Sequence, residues 1–120
     1  MKTYRDLIIW QKGLVLAKEI YSLSRKLPGI ERYSLINQMQ RAAVSIPANI
    51  AEGQARRHKK EFKQYLSIAL GSLAELDTYL TLSVLLGYLT DSEIKSIREQ
   101  IVELQKMICG FASNLVVSNY

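Results

Sequence analysis

Two long apolar heptads constrain this chain more than any other feature. Phe62, Leu66, Ala69, Leu73, Leu76, Leu80 and Ser83 alternate spacings of four and three, and Ile94, Ile97, Ile101, Leu104, Ile108, Phe111 and Leu115 repeat the pattern. A repeat of 3.5 residues lays one unbroken stripe along one side of a helix, and only packing against other helices satisfies it. One helix is therefore predicted from about Lys59 to Leu86. Another starts near Thr90, where Thr90 and Glu93 have the T-x-x-E form of a capping box.

The first half follows the helical period with more interruption. A first helix is expected from near Asp6, whose carboxylate can accept a free backbone N–H, to about Lys26, where Leu27, Pro28 and Gly29 stop it. Its stripe reads Leu7, Trp10, Leu14, Ala17 and Tyr21, widened by Leu16, Ile20, Leu23 and Leu27. A second helix starts around Arg32 to Ser34, carries Leu35, Met39, Ala42, Ala43, Ile46 and Ile50, and ends near Gly53. Pro47 removes one N–H inside it and crowds the Ala43 carbonyl, which predicts a kink or a short break. Four amphipathic segments on short connections make an all-α, up-and-down antiparallel four-helix bundle, with helix two kinked near Pro47, as a single domain over residues 1–120.

At 120 residues the chain can bury one core without covalent staples. The lone Cys109 cannot close an internal disulfide and fits a reducing compartment. The apolar run Leu7 to Trp10 is too short for a signal-peptide core, so a cytoplasmic location is expected. From Tyr79 to Leu89 apolar side chains cover every side of the third helix. That segment is about half a bilayer span, so it reads as buried protein and not as a membrane segment. A helix that is apolar all round must be covered all round, which predicts a homo-oligomer with Tyr79, Leu82 and Leu86 at the seam. The alternative cover is the loops and termini of the same chain.

The chain carries little that resembles catalytic chemistry. Di-metal bundles need inward carboxylates with Glu-x-x-His pairs, and the one histidine, His58, has Ala55 three residues before it. No metal, no cofactor and no enzymatic activity are expected. A Cys109–His58 dyad would require the fold to bring the two together, against the plainer reading of a small buried thiol and a solvated loop histidine. Gly53 reads as a helix terminator and Gly71 as a close-packing position.

Charge is distributed unevenly. Residues 1–63 hold 13 Lys/Arg and 5 Asp/Glu, whereas residues 64–120 hold 3 and 6. The segment RRHKKEFK concentrates the excess, and Arg56, Arg57, Lys59, Lys60 and Lys63 are the candidate phosphate contacts for RNA or another nucleic acid. A merely solvated face is the rival explanation, and with it goes a scaffold that serves a protein partner and has no nucleic-acid role. A second polar set, Arg41, Ser45, Asn49 and Glu52 on helix two with Ser72, Glu75 and Tyr79 on helix three, recurs at helical spacing. It predicts an internal network in which Arg41 pairs with Glu75 or Glu52, or else a polar pocket.

The stretch QMQRAAVSIPANIAEG from Gln38 to Gly53, followed by EFKQYLSIALGSLAEL from Glu61 to Leu76, resembles the family of four-helix bundle proteins encoded within intervening sequences of bacterial 23S rRNA genes. DLIIWQKG and LGYL match as well, so the resemblance spans nearly the whole chain. It implies a bacterial, non-enzymatic bundle, typically assembled as a ring-like homopentamer. A related branch is similar to the accessory protein of diversity-generating retroelements, a basic pentameric barrel that binds nucleic acid and a reverse transcriptase. Gln40 stands where the family often has a second Arg, Gly13 where it often has Ala, and Ser34 where it has Gly.

Overall fold

The computed structural model describes residues 3–115. Among them are four long helices, α1 Ile8–Ser24, α2 Leu35–Ala55, α3 Lys59–Leu85 and α4 Asp91–Ser113, with short 3-10 turns at Tyr4–Asp6 and Gly29–Glu31. Each helix packs on the one before it, and α1 closes the square against α4, while the diagonal pairs stay apart. The bundle measures 52 × 24 × 23 Å. It is the up-and-down arrangement that four amphipathic segments on short loops require.

Both heptads face inward as read. Leu66, Ala69, Leu73, Leu76 and Leu80 are fully buried, as are Ile94, Ile101, Leu104 and Ile108 within a percent or two. The Thr90 hydroxyl accepts the Glu93 N–H and the Glu93 carboxylate accepts the Thr90 N–H, so α4 begins with a complete capping box. At the end of α3, Gly87 takes φ +81°, and the N–H groups of Gly87 and Tyr88 reach back to the Val84 and Ser83 carbonyls. This is the left-handed helix terminator for which glycine is the preferred residue.

The first helix is turned relative to its predicted stripe. Ile9, Gly13, Leu16, Ala17, Ile20, Leu23 and Ser24 are buried, whereas Leu14 and Tyr21 are exposed. The pivot is Gly13, where an added Cβ would lie 3.3 Å from Pro47 Cβ and 3.4 Å from Pro47 Cδ. The two backbones meet at a glycine and a proline, neither of which registers as an apolar position in a hydropathy stripe. Helix α2 stays helical through buried Pro47, so of the expected kink or break the break does not occur.

The helix starts also differ from expectation. Thr3, not Asp6, caps the first turn, with Asp6 as the returning partner of its capping box. The second helix starts after the 3-10 turn, where the Glu31 carboxylate accepts from the Ser34 hydroxyl, the Leu35 N–H and the Tyr88 phenol. These three donors hold the Glu31 carboxyl below its usual pKa, the Ser34 bond contributing most.

By length and hydropathy alone α3 could cross a membrane, yet only a third of its most apolar window is buried in the bundle. Around the C-terminal end of the helix, Leu82 and Leu86 stay about half exposed and Leu85 is 80% exposed. Cover for the apolar end from within the described chain is therefore incomplete.

Candidate nucleic-acid interface

The α2–α3 turn is short because two helices approach closely beside it. A Cβ on Gly53 would sit 2.6 Å from Tyr65 Cβ and 3.0 Å from Phe62 Cδ1. Gly53 is therefore the close-packing glycine, inside α2 and not at its end. Gly71 is exposed in the middle of α3 with nothing among the described residues within 4 Å of a Cβ position, so the close-packing role read for it belongs within the bundle to Gly53. Farther along the same pair of helices, Ser45 and Ser72 join their hydroxyls at 2.8 Å.

Beyond Gly53 the chain turns through Arg56, Arg57 and His58. Arg57 adopts φ +62°, the only positive φ at a non-glycine among the described residues. It occupies the same left-handed position after α2 that Gly87 occupies after α3. Arg56, Arg57, Lys59 and Lys60 are exposed and Lys63 is half-buried. The five cations thus share one end of the bundle, as the sequence indicates.

They are not equivalent. Arg56 donates to Glu52 Oε1 at 3.2 Å and to the Tyr65 hydroxyl at 2.9 Å, and its guanidinium lies 5.4 Å from the Tyr65 ring centroid. The Glu52 hydrogen bond, with Tyr65 second, holds its pKa above the usual arginine value. Arg57, Lys59, Lys60 and Lys63 form no ion pair among the described residues. Four side chains therefore present uncompensated charge while a fifth is held in place by Tyr65. The grip of Tyr65 has no signal in the local sequence, because it comes from across the helix pair.

The internal network is smaller than predicted. Asn49 donates to the Ser45 carbonyl at 2.7 Å and to the Ser45 hydroxyl at 2.8 Å, and with Ser72 these form its core. Glu52 joins the surface cluster with Tyr65 and Arg56, and Glu75 accepts from Tyr79 on its own helix at 3.2 Å. Burial first, and Glu75 second, hold the Tyr79 phenol above its usual pKa. Arg41 is exposed and pairs with neither Glu75 nor Glu52 among the described residues. Steps of four residues drift by about 40° around a helix. That drift carries position 41 out of the groove that Ser45 and Asn49 face.

The predicted seam residues lie on the outer side of α3: Tyr79 is half-buried, and Leu82 and Leu86 are exposed by 41% and 50%. Ile68, 51% exposed, and Gly71 extend that surface toward the cationic end at heptad spacing. Cys109, read as a buried thiol, is exposed. No hydrogen bond joins it to His58 among the described residues. The described residues hold no group of three or more His, Cys, Asp or Glu placed to bind a metal ion.

Residues 5–110 match the family described as 23S rRNA-intervening sequence protein. The chain belongs to this family. The crystal structure of a protein with unknown function from the S23 ribosomal protein family of Bacteroides thetaiotaomicron VPI-5482 is similar, with a TM-score of 0.82 and 26% identity. The match covers 89% of this chain and 100% of that one. No functionally curated protein matches the chain. Membership in the 23S rRNA-intervening sequence family thus agrees with the bundle and leaves its activity to be argued from the surface.

Proposed function

We propose that the protein is a non-enzymatic, self-associating helical bundle that binds RNA through phosphate contacts at its cationic end. The observation that carries this reading is the position of Lys59 and Lys60 as the first two residues of the 27-residue α3. A helix N-terminus bears partial positive charge, and a cation there is unfavourable by about 0.3–1 kcal/mol. Arg56 and Arg57 complement the C-terminus of α2, but the two lysines oppose the helix they begin. Arg57 adds the strain of a left-handed backbone at a residue with a Cβ. Folding gains nothing from the charges of Lys59 and Lys60, whereas a polyphosphate strand neutralises them at once. Long flexible cations grip phosphates without reading bases, so the binding is charge-driven.

Self-association is supported by the outer face of α3, where Ile68, Leu82 and Leu86 remain about half exposed around Gly71. A glycine open on a helix surface lowers helix stability by about 1 kcal/mol relative to alanine, and close approach of a second backbone is one use for it. The ring of five follows from the family resemblance.

Titration of a structured RNA by fluorescence anisotropy tests the reading. Four phosphate contacts give about a 150-fold loss of affinity between about 50 and about 200 mM salt. Changing Arg56, Arg57, Lys59 and Lys60 together to Glu should abolish binding and leave helicity intact. Absence of binding at low salt, or binding that salt does not weaken, refutes the reading and leaves the protein-partner scaffold in its place.

A further inference from the structure

The turn between α1 and α2 lies at the end of the bundle opposite the cationic turn, and it carries a second concentration of binding chemistry. Arg25, Arg32, Tyr33, Ile36, Asn37 and Gln40 line an open groove there of about 600 Å³. Neither arginine has an acidic partner among the described residues. The Tyr33 side chain is 86% exposed, and the Arg32 guanidinium lies 5.8 Å from its ring centroid. The Asn37 side chain makes no hydrogen bond among the described residues, which leaves both ends of its carboxamide open. Gln40 donates to the Ser24 hydroxyl at 3.1 Å, and Ser24 donates to the Tyr21 carbonyl at 3.0 Å, so the Gln40 side chain is fixed with its oxygen unused.

We propose that this groove takes one unpaired nucleotide of a single-stranded nucleic acid. The two guanidinium forks hold the phosphate, the base stacks on Tyr33, and the carboxamides of Asn37 and Gln40 meet the base edge. Each component has a separate reason. Guanidinium matches phosphate with two parallel hydrogen bonds, an exposed aromatic ring stacks any base, and a carboxamide offers both a donor and an acceptor to an unpaired edge. A bare anion would leave the ring and the amides without a role. A duplex hides the base face that Tyr33 would stack on. The inference rests on the reading of the protein as a nucleic-acid binder and adds a contact that discriminates unpaired from paired strands.

The test uses the full chain with two probes, a short labelled oligouridylate and a blunt RNA duplex. Tyr33→Ala, and separately Arg25→Gln with Arg32→Gln, should weaken oligouridylate binding by about tenfold and leave duplex binding within about twofold. All three residues are exposed, so the variants keep the fold. Iodouridine in the oligonucleotide should crosslink to Tyr33 on irradiation. Unchanged oligouridylate affinity in both variants, or crosslinks only at the cationic turn, overturns the groove and leaves the proposed function standing. Tyr33-dependent single-strand binding that survives the change of Arg56, Arg57, Lys59 and Lys60 to Glu has the opposite meaning: the cationic end fails and the groove holds. Uridine monophosphate that competes as well as the oligonucleotide, at equal nucleotide concentration, assigns the groove to a free nucleotide and overturns the strand assignment.

Discussion

Replacing Gly53 with alanine tests the contact on which the cationic turn is built. The new Cβ would lie 2.6 Å from Tyr65 Cβ, 3.0 Å from Phe62 Cδ1 and 3.4 Å from the Phe62 carbonyl oxygen. Carbon atoms pack at about 3.5–4.0 Å, and the Tyr65 Cβ is fixed by its own backbone, so no rotamer change relieves the clash and α2 and α3 must part by about 1 Å. Phe62 cannot move alone, because its ring packs at 5.4 Å on Phe111. Overpacking of this kind costs about 1–3 kcal/mol, and alanine returns about 1 kcal/mol of helix propensity. The net destabilisation is about 0–2 kcal/mol, centred on about 1 kcal/mol, or several degrees in melting temperature. Gly110→Ala in α4 is the internal control, since nothing among the described residues lies within 4 Å of its Cβ and it is no part of the outer face of α3, so only the propensity gain remains. Urea denaturation followed by helical circular dichroism, at one fixed protein concentration, compares the two. A Gly53→Ala midpoint at or above wild type, beside a normally behaved Gly110→Ala, would refute the close approach.

Other outcomes follow from features already described. Leu82→Glu places a charge on the outer face of α3 and should shift an assembly to monomer in analytical ultracentrifugation; an unchanged sedimentation profile would remove that face from the seam. Thr90→Ala deletes the hydroxyl that accepts the Glu93 N–H and should destabilise by about 1 kcal/mol in urea, and no change would mean that the cap contributes nothing. The pH dependence is set by Glu31 and Glu93, both held below the ordinary 4.5, Glu93 chiefly by the Lys26 ammonium. A lowered folded-state pKa gives stability that is present above the unfolded value and is lost as pH falls through the folded one. The urea midpoint should therefore drop in acid, below about pH 4.5, more in wild type than in a Glu31→Gln, Glu93→Gln double variant. Equal acid sensitivity in the two proteins would contradict this assignment.

The helices of the second half were legible because their heptads are continuous and every member is buried except Phe111 and Leu115, which are partly so. The first helix was misread at Gly13, where the inward position carries no side chain and the neighbouring exposed Leu14 looked like the stripe. The close-packing role falls to Gly53 and not to Gly71 within the bundle for a related reason. Which glycine meets a partner depends on the register of α2 against α3, and one chain's spacing does not contain that register until Ser45 is known to lie opposite Ser72. The same register sends Arg41 to solvent. At the candidate site, contiguous cations in a turn had to be exposed, so sequence sufficed for them. The hold of Tyr65 on Arg56, and the groove shared by Arg25, Tyr33 and Gln40, arise from elements that are adjacent only in space.

The outer apolar face of α3 runs along the side of the bundle, whereas the cations sit at one end. Lys60 and Leu82 are 22 residues apart on one helix, about 33 Å by helical rise. Copies joined side by side about an axis parallel to the helices would all point their cationic ends the same way, so assembly would gather them on one rim without covering them. Individually weak grips on a strand then act at the high effective concentration that closure imposes, and avidity grows with the number of subunits with no new contact required. Such a rim would favour long or folded polyanions over short ones, a selection by reach and not by sequence.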